Sequence, residues 1–318
     1  MYRLGSELAS LARRGRLVLF VGAGVSAGAG LPQWEGLLDL LAARAGLGPA
    51  DIKGLGLLDR ATVIETALAP ERIGDAVARF IPRKGPYSLA HSLIATLPAT
   101  EIVTTNYDTR LEAAAADAGR PLTILRGRTV VGADRWLLKL HGSVDQPDDI
   151  VLSRGDYLGY GQRRAALRGV VQAVLLTRHM LFVGFGLSDD NFHVIAHDVR
   201  SALQRDERAS ADPFGTALLI HDNPLFDHLW TGDIRAAAVA PPAEAIGVGA
   251  RRIELLLDLV VAESEGALSH FMDPAFAHLL DPSERRLRLA LQRLWRSRDG
   301  DGPAWEAVRE LMERVGGP

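Results

Sequence analysis

The sequence predicts an α/β fold with a doubly wound parallel sheet, and two observations support this class. Short apolar runs of strand length alternate with longer segments of helical periodicity. The first of these runs leads directly into a glycine-rich turn, as expected where a buried strand is followed by a helix. The predicted strands cover residues 16–21, 101–105, 121–125, 136–140, 149–152, 180–184, 216–220 and 236–240.

Helical periodicity fills most of the chain between these strands. The predicted helices cover residues 2–14, 37–45, 111–118, 163–177, 191–203 and 251–264. Two stretches, 49–100 and 154–178, are mainly helical and are interpreted as insertions. Strand signals end at the proline pair 241–242, and residues 267–318 are helical and strongly charged. We therefore predict an α/β domain over residues 1–250 and a C-terminal helical extension over residues 251–318.

The composition argues against several classes of protein. The chain has 318 residues, a formal net charge of −3 and no cysteine. The lack of cysteine excludes disulfides, cysteine-ligated zinc and thiol catalysis, and we expect no metal site. The charge balance lacks the basic footprint of a nucleic-acid-binding protein. Residues 17–21 are too few to span a bilayer or form a signal core, so we expect a cytoplasmic protein without membrane contact.

The turn after the first strand has the composition of a phosphate-binding loop. Gly22 and Gly24 would let the backbone approach a pyrophosphate closely, and Ser26 would add a hydroxyl donor. Free N–H groups at the start of a helix would bind the anion. The same residues also suit a tight turn without any ligand. The standard dinucleotide fingerprint is imperfect, because Ala27 holds its third glycine position and no acidic residue follows a second strand at the expected distance.

Polar clusters follow four of the predicted strands. They cover residues 22–34, 104–108, 139–143 and 183–191. Because the carboxyl ends of the strands in an open parallel sheet line the ligand crevice, these clusters are expected to meet at one edge. The sequence therefore predicts a single site built from four strand tips.

These clusters, in this order and spacing, resemble the motifs of the sirtuin superfamily. Residues 22–32 resemble the Gly-Ala-Gly-x-Ser loop with its Gly-Ile-Pro, and residues 104–108 resemble the Thr-Gln-Asn-Ile-Asp segment. His141 and the glycine after it match the pair that carries the catalytic histidine. Residues 184–187 loosely match the Gly-Thr-Ser-Leu loop at the adenosine end. The resemblance covers about residues 15–240 and implies a Rossmann-like fold that binds NAD.

The departures from classical sirtuins indicate a particular subgroup. Sirtuin deacylases carry a four-cysteine zinc module, which this chain lacks, and no peptide-binding strand is recognisable. The Asp-Phe-Arg of classical sirtuins appears as residues 33–35, Gln-Trp-Glu, and Gly186 replaces the serine of the adenosine loop. The chain looks more like the bacterial sirtuin-like NAD hydrolases of anti-phage defence. That resemblance implies cleavage of the nicotinamide–ribose bond and defence by NAD depletion.

Three side chains are candidate catalytic groups. His141 ends an apolar strand and precedes glycine, and an imidazole can accept a proton near neutral pH. Asn106 either holds ribose hydroxyls or a water, or caps the following helix, and the resemblance favours the first role. Asp108 either stabilises the ribosyl cation or orients the nicotinamide amide, or is a helix N-terminal carboxylate that the dipole favours.

The other candidates are assigned to cofactor binding. Trp34 would cover the nicotinamide or seal the pocket, although an aromatic at this position also suits a core. Ser188, Asp189 and Asn191 would contact the adenosine ribose, or cap the helix that starts near them. The complete set is Gly22, Ala23, Gly24, Ser26, Pro32, Trp34, Gly184, Gly186, Ser188, Asp189 and Asn191.

Six arginines cluster over residues 285–298, interleaved with leucines. This pattern indicates either a solvated helix face or a helix for self-assembly or partner docking. Proteins that this chain resembles often work as oligomers or beside a sensor such as an ATPase or an Argonaute-type protein. Beside NAD, the resemblance therefore implies a homo-oligomer and an activator protein as partners.

Two other functions are alternatives to NAD hydrolysis. A non-catalytic NAD or ADP-ribose sensor would use the same loop and pocket, but a pure binder needs no base such as His141. A sirtuin-type protein deacylase or ADP-ribosyltransferase needs a peptide groove, for which no residues are recognisable. A dehydrogenase is disfavoured because the usual ribose carboxylate is missing.

Overall fold

Seven β-strands and fourteen α-helices are found in the part of the chain that the computed structural model describes, residues 1–126, 132–203, 213–230, 232–264, 271–278, 280–300 and 302–317. The strands are β1 (Leu17–Val21), β2 (Glu101–Thr104), β3 (Thr123–Leu125), β4 (Trp136–Lys139), β5 (His179–Val183), β6 (Gly215–His221) and β7 (Ile234–Ala240). The helices are α1 (Tyr2–Arg13), α2 (Ala23–Ala27), α3 (Trp34–Arg44), α4 (Leu57–Leu68), α5 (Ile73–Phe80), α6 (Leu89–Thr96), α7 (Arg110–Asp117), α8 (Arg154–Arg163), α9 (Ala165–Thr177), α10 (Asp190–Ala202), α11 (Phe226–Trp230), α12 (Ile246–Ser264), α13 (Pro282–Arg296) and α14 (Pro303–Arg314).

The strands form one parallel sheet in the order β3-β4-β2-β1-β5-β6-β7. The chain moves from β1 towards β2 and β4 on one side, then returns to place β5 on the other side of β1. This reversal is a topological switch point, where an open α/β sheet has a crevice at its carboxyl edge. The predicted doubly wound, Rossmann-like α/β class is confirmed.

The sheet is buried on both faces, which explains why its strands are continuous apolar runs. Leu17, Leu19 and Val21 of β1 face one core cluster, together with residues of α1, α6 and α12. Val18 and Phe20 face the opposite cluster, together with residues of α9, α10 and α11. The side chains alternate between the two faces because a strand has a period of two residues.

A third core cluster lies outside the sheet and is formed in part by the predicted insertion 49–100. Buried residues of α3, α4 and α5 pack there with Val144, Ile150 and Leu152, which come from the chain after β4. Gly74 in α5 allows a very close approach, since a Cβ there would stand 2.0 Å from the Pro147 carbonyl oxygen. The insertion thus contacts the chain that follows His141.

The predicted strand over residues 149–152 is wrong. Pro147–Asp149 forms a 3₁₀ turn, and the next residues form a loop outside the sheet. The Val151 N–H donates to the His141 carbonyl at 3.0 Å, and the Tyr107 hydroxyl donates to the Val151 carbonyl at 2.8 Å. These partners satisfy the backbone without a neighbouring strand. Ile150 and Leu152 pack into the third cluster, which produces the apolar pattern that resembled a strand.

The predicted division at residue 250 falls inside α12. This helix packs against α1, α6 and strands β6 and β7, so the first compact unit runs from Met1 to Ser264. The Arg13 guanidinium also donates to the Glu263 carbonyl near its end. The division of the chain into the two predicted domains otherwise stays a prediction.

The second compact unit contains α13 and α14. Its small core comprises Phe271, Met272, Leu280, Met312 and Val315. In the arginine cluster of α13, Arg288 is buried and donates to the Met272 carbonyl at 3.1 Å, whereas the other arginines are exposed. The solvated helix face therefore explains most of the cluster. Within the described residues, none of the helices is both long and apolar enough to cross a membrane.

Candidate active site

The segments that carry Asn106 and His141 lie side by side at the carboxyl edge of the sheet. Asn106 follows β2 and His141 follows β4, and these two strands are direct neighbours. Beyond the strand ends the two segments stay in contact, because the Val144 N–H donates to the Tyr107 carbonyl at 2.9 Å. The predicted convergence of these two strand tips is therefore found in the fold.

The loops after β1 and β5 pack backbone against backbone. The Gly22 N–H donates to the Val183 carbonyl, and the Gly24 N–H donates to the Gly184 carbonyl, each at 2.9 Å. A Cβ on Gly22 would lie 2.4 Å from the Gly184 carbonyl oxygen, and Gly184 itself has a φ of +63°. Glycine is therefore required here by contact between the loops. These two N–H groups are already engaged and are not free to bind a pyrophosphate.

Ser26 is the centre of a buried hydrogen-bond network. Its hydroxyl donates to Asp108 Oδ2 at 2.8 Å and accepts from Asn106 Nδ2 at 3.1 Å. His91 Nε2 lies 3.3 Å from the same oxygen. Ser88 is the N-cap of α6 and forms a capping box with His91. The Ser88 N–H donates to His91 Nδ1, which fixes the imidazole. The network joins the elements after β1 and β2 with α6.

Asn106 is held so that one amide atom remains available. Its Nδ2 donates to the Gly22 carbonyl at 3.1 Å as well as to Ser26, and its backbone N–H donates to Thr104 Oγ1 at 3.0 Å. Its Oδ1 is buried and has no hydrogen-bond partner. An acceptor fixed in this way suits a hydroxyl or water donor from a ligand.

Both carboxylate oxygens of Asp108 are already used within the chain. Oδ2 accepts from Ser26, and Oδ1 accepts from the Arg110 N–H at 2.9 Å, at the start of α7. Lys139, which is fully buried, donates to the Asp108 carbonyl and pairs with Glu112 at 2.8 Å. The arrangement fixes the turn that carries Asn106.

His141 is buried and its Nε2 makes no hydrogen bond. This atom lies 3.4 Å from Asp189 Oδ2, a distance for electrostatic contact, although the pair does not have hydrogen-bond geometry. Gly142 has a φ of +85°, and a Cβ there would stand 2.1 Å from the Asp149 carbonyl oxygen. The glycine after the histidine is thus explained by backbone geometry.

Burial lowers the pKa of His141 below its usual value of 6.5. The Asp189 carboxylate opposes this shift, and the Arg164 guanidinium adds to it. Burial also lowers the pKa of His91, and the nearby Asp108 carboxylate opposes this shift. Desolvation disfavours the charged imidazolium in both cases, so both rings are neutral at neutral pH.

The loop after β5 aims Asp189 towards His141. Leu187 lies in the left-handed region with a φ of 56° and is buried in the core, so packing holds this strained backbone. Asp189 caps α10, with its Oδ1 accepting from the Phe192 N–H at 2.9 Å. Its Oδ2 accepts from the Tyr157 hydroxyl at 2.7 Å. The capping alternative is therefore found for Asp189, which also contacts the candidate site.

Two aromatic rings of α8 pack against His141, and one of them also stacks on Trp34 of α3. The Tyr157 ring lies 5.5 Å from the imidazole centroid and stacks on Trp34 at 6.1 Å and 12°. The Tyr160 ring lies 6.0 Å from the imidazole, edge to face. Trp34 thus packs on one of the rings that cover His141, and its predicted sealing role stays a prediction.

Several buried polar atoms without partners occur at this edge. They are Trp34 Nε1, Asn106 Oδ1, His141 Nε2, Tyr160 OH and Asn191 Nδ2. An unsatisfied buried polar atom is costly and needs a specific explanation, such as a ligand or an ordered water. The atoms include both acceptors and donors, which fits a ligand rich in hydroxyl and amide groups, such as a dinucleotide.

The remaining predicted residues surround this group less closely. Ala23 and Pro32 are half-buried beside the first loop, while Gly186 and Ser188 are exposed on the loop after β5. Contacts of these four residues with a cofactor stay predictions. Among the residues described, no cluster of three or more His, Asp or Glu side chains could hold a metal ion.

Sequence reasoning missed His91, Tyr157, Tyr160 and Lys139. His91 and the two tyrosines lie on helices within the predicted insertions, far in sequence from any strand tip. Nine histidines occur in the chain, and no local signal separates His91 from the others. Only the capping box of α6 offered a sequence pattern, and its third position is a histidine instead of the usual Glu or Gln.

Comparison with known proteins gives a consistent picture. Residues 100–227 match the family model described as a SIR2-like domain. Over 210 residues the chain is 30% identical to Defense-associated sirtuin 2 of Bacillus subtilis, covering 63% of this chain and 21% of that protein. It is 31% identical to the NAD(+) hydrolase ThsA of Bacillus cereus (strain MSX-D12) over 195 residues, covering 60% of this chain and 41% of that protein.

A further relative is the NAD(+) hydrolase ThsA of Enterococcus faecium, 27% identical over 201 residues, covering 61% of this chain and 42% of that protein. The chain therefore spans less than half the length of each of these relatives. The matched family region contains Asn106, Asp108, His141 and Asp189, and the glycine-rich loop precedes it. The predicted resemblance is confirmed: residues 100–227 match the SIR2-like domain model, and the chain is similar to proteins named Defense-associated sirtuin 2 and NAD(+) hydrolase ThsA.

Proposed function

We propose that this protein hydrolyses the nicotinamide–ribose bond of NAD, giving nicotinamide and ADP-ribose. The observation that carries the proposal is the pair of buried, unpartnered polar atoms, Asn106 Oδ1 and His141 Nε2, which follow neighbouring strands within the region that matches the SIR2-like domain model. The relatives named NAD(+) hydrolase support the choice of substrate.

The reaction breaks the bond between the ribose C1′ and the nicotinamide nitrogen. The bonding electron pair leaves with the cationic ring, which departs as neutral nicotinamide. Positive charge develops on the ribose, as in glycoside cleavage. Water then bonds to C1′ and loses a proton. The balance is NAD plus water giving nicotinamide, ADP-ribose and one proton.

His141 is proposed as the general base of this reaction. Because burial keeps its ring neutral, Nε2 can accept the proton of the attacking water or of a ribose hydroxyl. The Asp189 carboxylate, 3.4 Å away, would stabilise the imidazolium that results. Both groups are largely shielded from solvent, which strengthens their electrostatic interaction.

Asn106 is proposed to hold the ribose or the water through its Oδ1. Its Nδ2 is committed to Gly22 and Ser26, so the amide cannot rotate without losing two hydrogen bonds. We propose that Asp108 acts as a positioning residue, because both its oxygens already accept hydrogen bonds from the chain. It orients Ser26 and thereby Asn106, instead of touching the ribosyl cation.

The rest of the dinucleotide would lie across the switch point between the loops after β1 and β5. In this proposal Trp34 covers the nicotinamide, and Asp189 and Asn191 meet ribose hydroxyls. Gly22, Gly24 and Gly184 allow the two loops to pack closely below the ligand. Ala23, Ser26, Pro32, Gly186 and Ser188 complete the predicted surround.

We also propose a role in anti-phage defence through depletion of cellular NAD, because one relative is named a defence-associated sirtuin. Such an activity has to be restrained, so an activator protein, assembly into a homo-oligomer, or both are part of the proposal. We propose that the protein acts in the cytoplasm, because its proposed substrate is cellular NAD.

Incubation of the purified protein with NAD tests the proposed function. Nicotinamide and ADP-ribose are expected in equal amounts by liquid chromatography, without any acylated peptide. The protein should be assayed alone and with the products of neighbouring genes, since an activator is expected. Tight NAD binding without turnover in every assembly state would contradict hydrolysis and favour a sensor. Nicotinamide release only with an acyl-peptide would favour a deacylase.

The pH dependence of kcat/KM is expected to report the buried histidine. Because burial lowers the pKa of His141, its neutral form persists below pH 6.5. The rate should therefore be constant above pH 6.5 and fall only as the pH drops through the lowered value. In Arg164→Gln one cause of the lowering is removed, so the acid limb should move to higher pH. An acid limb above pH 6.5 in the wild-type protein would contradict His141 as the base.

A further inference from the structure

Helix α8 places a tyrosine hydroxyl on the carboxylate beside the candidate base. Tyr157 donates to Asp189 Oδ2 at 2.7 Å, and this is the oxygen that lies 3.4 Å from His141 Nε2. Asp189 Oδ1 is occupied by the Phe192 N–H that it caps. The phenol therefore takes the side of the carboxylate that faces the proposed reaction centre.

The same helix closes the path to His141. The Nε2 atom is fully buried, and the rings of Tyr157 and Tyr160 lie 5.5 Å and 6.0 Å from the imidazole centroid. A water or ribose hydroxyl must come within about 3 Å of a base to transfer a proton. A covering ring therefore has to move before any reacting atom reaches Nε2.

The composition and anchoring of α8 favour such a movement. Three of its ten residues are glycines, Gly155, Gly159 and Gly161, and glycine is a poor helix former. Its first turn is fixed to α4, because the Arg154 N–H donates to Thr62 Oγ1 and the Arg154 side chain pairs with Asp59. The end of the helix is held as well, because Arg164 donates to the Asp149 carbonyl and pairs with the Asp149 carboxylate at 2.7 Å. Any movement that uncovers His141 is therefore expected between these two ends, where the glycines lie.

Tyr157 and Tyr160 both cover His141, but they differ in the hydrogen bonding of their hydroxyl groups. Both rings pack against His141, but only the Tyr157 hydroxyl has a partner, whereas the Tyr160 hydroxyl is buried and unpartnered. Tyr157 also stacks on Trp34 of α3, nearly parallel at 12°. Of the two rings that cover His141, Tyr157 is therefore the one held by a hydrogen bond and by a stacking contact.

We propose that Tyr157 is a gating residue, whose hydrogen bond to Asp189 keeps the site closed until a ribose hydroxyl of the substrate replaces the phenol. This inference rests on the proposed function, because the hydroxyl belongs to NAD. Binding then includes the cost of breaking the Tyr157–Asp189 bond. The apparent affinity is reduced by the fraction of molecules that are open.

The matched variants Tyr157→Phe and Tyr87→Phe test this proposal. Tyr157→Phe keeps the ring and its stacking but removes the hydrogen bond to a charged group. The apparent KM for NAD is expected to fall roughly tenfold, with kcat unchanged within about twofold. Tyr87→Phe removes the same kind of hydrogen bond outside the candidate site, because the Tyr87 hydroxyl donates to Asp117 Oδ2 at 2.8 Å, and its KM should stay within about twofold of the wild type. An unchanged or raised KM in Tyr157→Phe would overturn the gating role.

Calorimetric titration with ADP-ribose separates this inference from the proposed function, because ADP-ribose is not consumed. Its dissociation constant should also fall roughly tenfold in Tyr157→Phe and stay constant in Tyr87→Phe. Tighter binding in Tyr157→Phe in a protein that never releases nicotinamide would support the gate and contradict hydrolysis. Normal NAD turnover with unchanged ADP-ribose binding would contradict the gate alone. Circular dichroism of both variants verifies that the fold is retained.

Discussion

His141→Ala is expected to lower kcat/KM for nicotinamide release by about 10²–10⁴-fold, the usual contribution of a positioned general base. The variant removes the buried Nε2 that is proposed to accept the proton. The carboxylate of Asp189 then has no imidazolium to stabilise. NAD binding should be retained, since the loops after β1 and β5 are unchanged. The rate is measured by chromatography of nicotinamide and the fold by circular dichroism.

His197→Ala is the matched control for this experiment, because His197 is exposed on α10. Its rate is expected to equal that of the wild type. Asn106→Ala should also lose activity, by about 10²–10³-fold, because a fixed polar group for the transition state is removed. If His141→Ala and Asn106→Ala both kept full activity, the assigned site would be wrong.

Gly142→Ala is expected to reduce the free energy of unfolding by about 3 kcal/mol or more. The added Cβ would lie 2.1 Å from the Asp149 carbonyl oxygen, on a backbone with a φ of +85°. Because the clashing atom belongs to the main chain, removing the clash requires movement of the segment around Asp149. That segment is held by the hydrogen bond from the Val151 N–H to the His141 carbonyl. Urea denaturation of wild type and variant gives the difference.

Gly119→Ala separates the two causes of the stability loss in Gly142→Ala, which are the positive φ and the contact with the Asp149 carbonyl oxygen. Gly119 also has a positive φ, +68°, but nothing lies within 4 Å of a Cβ there. Only the conformational cost should appear, about 1 kcal/mol. Equal losses in the two variants would mean that the contact with Asp149 contributes nothing to the requirement for glycine at residue 142.

The parallel sheet was predictable from the sequence because both of its faces are buried. Strands such as β1 and β5 are continuous apolar runs, and a doubly covered sheet requires this pattern. The segment 149–152 shows the limit of that argument. Its buried side chains give the same pattern, while its backbone bonds to His141 and Tyr107. An apolar pattern reports burial and does not report which partner satisfies the backbone.

The strand-tip residues of the site were predictable for a related reason, since parallel topology brings the ends of β2 and β4 together. His91 and Tyr157 were not predictable, because they arrive on helices whose packing direction has no local signal. Their positions depend on contacts between residues far apart in sequence, such as Ser26 with His91 and Tyr157 with Asp189.

The interlocked glycine loops after β1 and β5 restrict how the crevice can open. The two main chains are joined by paired hydrogen bonds, and at Gly22 and Gly24 there is no room for even a methyl group between them. Spreading the sheet at its switch point would break these bonds and expose both backbones. Close packing therefore opposes opening of the crevice at its floor, and under the proposed function a nucleotide is expected to enter from the side where α3 and α8 lie.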